Sequence, residues 1–291
     1  MDDDAFALQQ ATIAIVGLGL MGGSLALALR AKHAAQKIIA VERDAATRDL
    51  ALNRRTVDDA SADLALAAQA DVIVLATPVR AIIELLPRVG ALARAGVIVI
   101  DLGSTKCDIT RAMETLPASV QPIGAHPMCG KDAAGFSAAD AGLFRNAAFV
   151  LTPLARTSPQ TLAIAQSLAE TVSARPIVLD AARHDRIVAT VSHLPFALAA
   201  TLMATANEFA RDDDALFALA ASGFRDTSRL AASDTTMMLD VLATNRTNLS
   251  ASMRAYSRRL STLADVIERG DENATRAMLE DAAELRRRMY K

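Results

Sequence analysis

Six positions near the start of the chain, Gly17-Leu18-Gly19-Leu20-Met21-Gly22, carry the spacing GxGxxG between the β-branched run Thr12–Val16 and the helix-forming run Ser24–Arg30. That spacing serves pyrophosphate binding. The first glycine permits a tight turn, the second lets phosphate approach the backbone, and the third lets helix and strand pack closely. A second strand-like run, Lys37–Val41, ends at Glu42, about 20 residues beyond Gly22, where a carboxylate can accept the adenosine ribose hydroxyls. Glu42 opposes a 2′-phosphate and favours NAD, whereas Arg43 beside it would attract one and favour NADP. A glycine turn serving packing alone is the plainer alternative. The strand before the motif, the helix after it and the acid downstream favour a dinucleotide.

The other chemistry-bearing residues fall where such a sheet would gather them. In an open parallel sheet, ligands bind outside the carboxyl ends of the strands. Three further strand-like runs lead into Thr77-Pro78, into Asp101–Lys106 with Ser104 among them, and into His126–Lys131. His126 is the one side chain near this edge whose ordinary pKa allows proton exchange near neutrality. Ser104 can donate or accept a hydrogen bond at a single oxygen. Both residues also have a plain reading as turn formers. Cys107 and Cys129 have no CxxC or Cys/His spacing, so neither a disulfide framework nor a metal site is expected and a reducing cytoplasm fits. Cys129 reads as packing. Of the remaining histidines, His33 reads as exposed, His184 as a cap or interdomain contact, and His193, on its own, as a core histidine.

The elements that must position these groups follow from length and periodicity. At 291 residues the chain suits two domains of about 100–200 residues each. With 52% hydrophobic and 22% charged residues it has a globular composition, and a net charge of −2 gives no pull towards nucleic acid or anionic lipid. Strand-like runs are expected at Thr12–Val16, Lys37–Val41, Val72–Ala76, Val97–Asp101, Gln121–Ala125, Ala148–Thr152 and Arg175–Leu179, alternating with Ala/Leu-rich helical stretches. This alternation predicts a mostly parallel α/β domain over residues 1–180. From Ala181 the β signal stops, and a helical domain is expected over 181–291. Leu242, Leu249, Met253, Tyr256, Leu260, Leu263 and Ile267 form an apolar seam at helical spacing. A domain this small can hardly cover such a seam alone, so a second copy of the chain is expected to do so. Gly270-Asp271 predicts a helix stop and a new N-cap. The acidic start, MDDDAFALQQ, is the opposite of a signal peptide. The apolar stretch Ile187–Ala206 contains Ser192, His193 and Pro195 and reads as a buried helix rather than a membrane span.

Five segments in order, GLGLMGGS, DLGSTK, GAHPMCGK, HDRIVATVSHLP and GFRDTSRLAASD, make the chain resemble the prephenate/arogenate dehydrogenases of tyrosine biosynthesis over nearly its whole length. The resemblance implies a Rossmann-type doubly wound sheet followed by an all-α domain that dimerises by intertwining. It also implies oxidative decarboxylation of a cyclohexadienyl ring by a cytoplasmic homodimer that needs no metal. By motif, His126 becomes the catalytic group that bonds the ring hydroxyl, supported by Ser104, with His193 facing the substrate from the helical domain. Arg229 stands in the place of the family's carboxylate-binding arginine, with Arg225 at i−4 from it. A guanidinium can hold a carboxylate through two hydrogen bonds; the plain alternative is a surface ion pair with Asp226. The implied cofactor residues are Gly17, Gly19, Leu20, Met21, Gly22, Glu42, Arg43, Thr77 and Pro78.

One departure bears on specificity: many relatives carry a tryptophan after the last motif, where this chain has Thr235-Thr236-Met237-Met238 and no tryptophan elsewhere. The donors His193, Arg225 and Arg229 favour the keto acid prephenate over the amino acid arogenate, with Asp234 the acid that an ammonium would need. Two more distant readings are a β-hydroxyacid dehydrogenase and a catalytically silent NAD-binding regulator. The first lacks its catalytic lysine, since no lysine lies between Lys131 and Lys291. Against the second stand the intact His126 and Ser104.

Overall fold

The structure is a computed structural model that describes residues 8–290, so most of the acidic start lies outside the described residues. Eight strands form one sheet: β1 (Thr12–Val16), β2 (Lys37–Val41), β3 (Asp59–Ser61), β4 (Val72–Leu75), β5 (Ile98–Asp101), β6 (Gln121–Pro127), β7 (Ala148–Pro153) and β8 (Arg175–Val178). Their order is β3-β2-β1-β4-β5-β6-β7-β8, and every pairing is parallel except β6 with β7. The seven expected strands are all present, and the short β3 is an eighth that its Asp-Ala-Ser sequence did not announce.

The central strands are apolar without alternation because both of their faces are covered. Ile13 and Ile15 of β1 point into one core with Leu25 and Leu29 of α1 (Leu20–Ala31), while Ala14 and Val16 point into the other. That second core includes Ile82, Leu86 and Val89 of α3 (Val79–Leu92). Helices α2 (Ala45–Asn53), α4 (Cys107–Met113) and α5 (Pro159–Thr171) complete the layers. The strand order reverses between β1 and β4, and outside the carboxyl ends at such a switch point open α/β sheets bind their ligands.

The remainder is helical: α6 (Ala181–Val188), a π turn (Ala189–His193), α7 (Leu194–Phe209), α8 (Ser222–Ser228), α9 (Thr235–Thr244), α10 (Arg246–Glu268) and α11 (Glu272–Met289). Asp271 caps α11 by accepting from the Ala274 amide, and Gly270 before it has φ +68°, as the Gly-Asp stop predicts. The apolar seam is not one helix. Leu242 belongs to α9, the helix is interrupted at Asn245, and the seam proper runs along α10. There Met253, Tyr256, Leu260 and Ile267 are exposed, as are Leu279, Leu285 and Met289 on α11. The rod from α6 to α7 is long and apolar enough to cross a membrane, with mean hydropathy 1.7 over its most apolar window. Only 28% of that window is buried within one chain, so the expected buried helix is met in part only.

Candidate active site

The glycine turn is built as its spacing requires. Gly17 adopts φ +95°, a left-handed conformation that only glycine enters cheaply, and a Cβ there would lie 2.8 Å from Thr77 Cγ2 across the switch point. A Cβ on Gly22 would lie 1.9 Å from the Gly17 carbonyl oxygen, so helix and turn touch only because it is absent. A Cβ on Gly19 would meet nothing within 4 Å. Gly19 is also the N-cap of α1, with no side-chain cap, so the first amides of that helix, among them Leu20 and Met21, have no partner within the helix. Free helix amides beside an open cradle suit a pyrophosphate. Glu42 stands just past β2, where Oε2 accepts from the Leu18 amide at 2.8 Å and Oε1 from the Asp44 amide at 3.0 Å. A carboxylate has about four acceptor sites, so this leaves capacity for ribose hydroxyls. Arg43 is exposed, and Thr77-Pro78 forms the start of α3 at the opposite lip.

His126 lies inside β6 rather than in the loop after it. The antiparallel ladder with β7 extends the strand to Pro127, pairing His126 with Val150. The side chain is buried, and its Nδ1 lies 2.9 Å from His184 Nε2 of α6. Burial, followed by His184, Lys106 and His193, holds the His126 pKa well below its ordinary 6.5, so the ring is neutral at neutral pH. His184, expected either to cap a helix or to bridge the domains, does the second; Asp180 is the cap of α6.

Behind this pair the bonds continue. His184 Nδ1 meets Asp185 Oδ1 at 2.8 Å, and Asp185 accepts from the amides of Lys106 and Cys107 at 2.7 and 2.9 Å. Burial raises the Asp185 pKa, but the bonds from His184, Cys107 and Lys106 outweigh it and hold the group below the usual carboxylate range. Asn245, at the break before α10, donates to the Asp185 carbonyl at 2.7 Å and lies 3.2 Å from His193 Nδ1. His193 is buried at the end of the π turn, its Nε2 has no hydrogen-bond partner, and burial pushes its pKa down to about 4.

Lys106 is fully buried, bonding Asp101 and the Ala125 carbonyl at 2.6 Å immediately before His126. Burial pushes the pKa of Asp101 up and that of Lys106 down, while their mutual attraction opposes both shifts. Ser104 is half-buried in the loop between β5 and α4, and its hydroxyl bonds to no protein group among the described residues. The cysteines are poorly suited to act as nucleophiles: burial pushes Cys107 up to about 12 and Cys129 up to about 11. Cys129 packs against the core, as expected. No cluster of ligands suited to a metal occurs among the described residues.

The two arginines, four residues apart, make separate contacts. Arg225 is in α8 and lies 3.5 Å from its exposed neighbour Asp226, whereas Arg229, in the 3-10 turn after α8, donates to Asp132 at 2.6 Å. Asp132 belongs to the loop following His126, so Arg229 bridges the helical segment to the β6 edge. Asp234 caps α9 by accepting from the Met237 amide. The acid nearest Arg229 is thus Asp132, which the motifs did not single out, and not Asp234. His184, Asp185 and Asn245 are the further residues the motifs left without a role; the adjacent His-Asp pair was the available signal.

Two family models match. Residues 25–178 match that of the prephenate dehydrogenase nucleotide-binding domain, and residues 180–281 that of the prephenate dehydrogenase dimerization domain. A prephenate dehydrogenase of Lactococcus lactis subsp. cremoris is 33% identical over 280 residues, 95% of this chain and 77% of the relative. The prephenate dehydrogenase of A. aeolicus, solved with hydroxyphenyl propionate and NAD+, superposes with a TM-score of 0.90 at 26% identity, covering 96% of this chain and 98% of that one. An arogenate dehydrogenase of Synechocystis superposes with a TM-score of 0.82 at 33% identity, covering 96% and 99%.

Proposed function

The chain belongs to the prephenate dehydrogenase family, and from that premise we propose that it converts prephenate to 4-hydroxyphenylpyruvate, with NAD as the oxidant, as a cytoplasmic homodimer. The observation that carries this reading is His126: a neutral, buried imidazole at the sheet edge, with Nδ1 engaged by His184 and Nε2 left for a substrate. Gly17, Gly19, Leu20, Met21 and Gly22 would hold the pyrophosphate, Glu42 the adenosine ribose, and Thr77-Pro78 the nicotinamide end. Arg43 plays the lesser part, because Glu42 opposes a 2′-phosphate. When bound, NAD supplies the acceptor for the hydride that leaves the ring carbon bearing the hydroxyl.

The protein's own residues do the remaining work. His126 Nε2 takes the proton of the ring hydroxyl as the carbonyl forms, while Ser104 holds that hydroxyl in line. Arg229 clamps a carboxylate, with Arg225 nearby, and His193 Nε2 faces the substrate as a neutral polar group. Loss of the ring carboxylate as carbon dioxide sends its bonding electrons through the ring to the carbonyl oxygen, which takes the proton back from His126 as the phenol forms, and aromatisation supplies the driving force. The groups orient and deprotonate.

The reading is tested by following NAD reduction with purified protein and either prephenate or arogenate, and by repeating both with NADP. Prephenate with NAD is expected to give the highest specificity constant. A preference for arogenate above tenfold overturns the substrate assignment, and tighter binding of NADP overturns that of Glu42. The likeness to an arogenate dehydrogenase makes arogenate the second reading.

A further inference from the structure

Asp185 is bonded on both oxygens to amides that can only donate, at Lys106 and Cys107, and is therefore held as a carboxylate. A carboxylate accepts, so the hydrogen between it and His184 resides on His184 Nδ1. With that one hydrogen on the ring, the other nitrogen, Nε2, is a bare lone pair. It lies 2.9 Å from His126 Nδ1, which must supply the hydrogen of that contact. A neutral His126 carrying its hydrogen on Nδ1 has a bare Nε2. Each bond in the row fixes the next, from an anchored carboxylate to a free base.

We infer that His184, backed by Asp185, is a positioning residue that locks His126 in the Nδ1–H tautomer with Nε2 free to take the substrate proton. This rests on the reading of His126 as the base. Without the lock, Nδ1 and Nε2 compete for the hydrogen, and the Nε2–H form cannot accept a proton. The two rings meet edge to face, 73° between planes, so the contact also sets the orientation of His126. His184 is 1% exposed and both of its nitrogens are engaged, so His126 and Asp185 account for all of its hydrogen-bonding capacity. The other titratable groups facing the row are Lys106 and Asp101, paired with each other, Cys107 of α4, and His193 of the π turn. None of them reaches His126 Nδ1.

The lock also joins two halves of the molecule. His126 rides on β6, while His184 and Asp185 begin the helical segment, and Asp185 reaches back to the start of α4 just beyond Ser104. A base on one segment is therefore correctly protonated only when the other is docked against it.

The test has two parts. Nitrogen NMR of the protein with NAD, labelled at histidine rings, reads the tautomer directly; four histidines keep the spectrum assignable through His126→Asn. His126 is expected as Nδ1–H with unprotonated Nε2 in the wild type and as a mixture in His184→Phe. In turnover assays, His184→Phe is expected to lower kcat by about 10²-fold with little change in KM, the pattern of a lost orienting partner. His184→Gln, whose side-chain oxygen stands near the Nε2 position, is expected to recover most of the loss. His126 found as Nε2–H in the wild type overturns the inference, as does a folded His184→Phe protein with near-normal kcat. If that variant fails to fold, the wild-type tautomer decides. The tautomer needs no substrate: an Nδ1–H His126 in a protein inactive on prephenate and arogenate would retain the lock and refute the proposed reaction.

Discussion

Arg229 Nη1 donates to Asp132 Oδ1 at 2.6 Å, tying the turn after α8 to the loop that follows β6. Both side chains are half or more exposed, so the pair itself adds little stability. On the proposed role of Arg229 as carboxylate binder its consequence is for binding, because an incoming carboxylate would have to share or replace Asp132 at the guanidinium. Arg229→Ala is expected to raise the KM for prephenate at least tenfold with a smaller fall in kcat, since carboxylate binding is common to ground and transition states. Asp132→Asn is expected to act in the opposite direction, lowering KM by removing a competing negative charge. Initial-rate kinetics of the two variants checks both signs.

Replacing His126 by Asn keeps a hydrogen-bonding atom and removes the base. The expected fall in kcat is about 10²–10⁴-fold, the range for loss of a general base. Cofactor affinity, measured by fluorescence titration, should stay near the wild-type value, because the glycine turn is untouched.

The two buried histidines also set an acid limit. His126 and His193 have folded pKa values below 6.5, the latter about 4, so the unfolded chain binds more protons as pH falls below 6.5. Stability from keeping them neutral is fully present above pH 6.5 and is lost as pH falls towards 4. Thermal denaturation from pH 7 down to pH 4 should show Tm decreasing as the pH falls, with a shallower decrease in His193→Gln.

Gly19 and Gly22 differ in what a methyl group would meet, and so should their alanine variants. Gly19→Ala, with open space around the new carbon and φ −74°, should leave Tm unchanged while weakening NAD binding about tenfold or more, because the methyl group enters the pyrophosphate approach. In Gly22→Ala the carbon would stand 1.9 Å from the Gly17 carbonyl oxygen, so Tm should fall along with binding. Calorimetry and titration on the same samples separate the two effects.

The exposed apolar residues along α10 and α11 predict the oligomer. Tyr256→Asp or Leu260→Asp should dissociate the dimer, and sedimentation at micromolar concentration would read the shift to monomer. A wild-type monomer at that concentration would contradict the assignment.

The strands were legible from the sequence because each core strand is a short β-branched run, and the glycine turn because its spacing has one steric purpose. Gln121–Pro127 shows where that legibility stops: its apolar run marks a strand, but its antiparallel ladder with β7, which carries His126 into the sheet, depends on the next strand turning back beside it. Asp59–Ser61 has no local β signal and is a strand only because β2 offers it an edge. The strand ends singled out His126 and Ser104, and resemblance gave them roles and added Arg229, without their surroundings. That His184 meets His126, that Asp185 meets Lys106 and Cys107, and that Arg229 meets Asp132 were decided by tertiary structure alone. Periodicity reports which face of an element is buried, because burial is set by neighbours at i+2 or i+4. It does not report which polar group on a distant element will satisfy another, because that depends on how the layers dock.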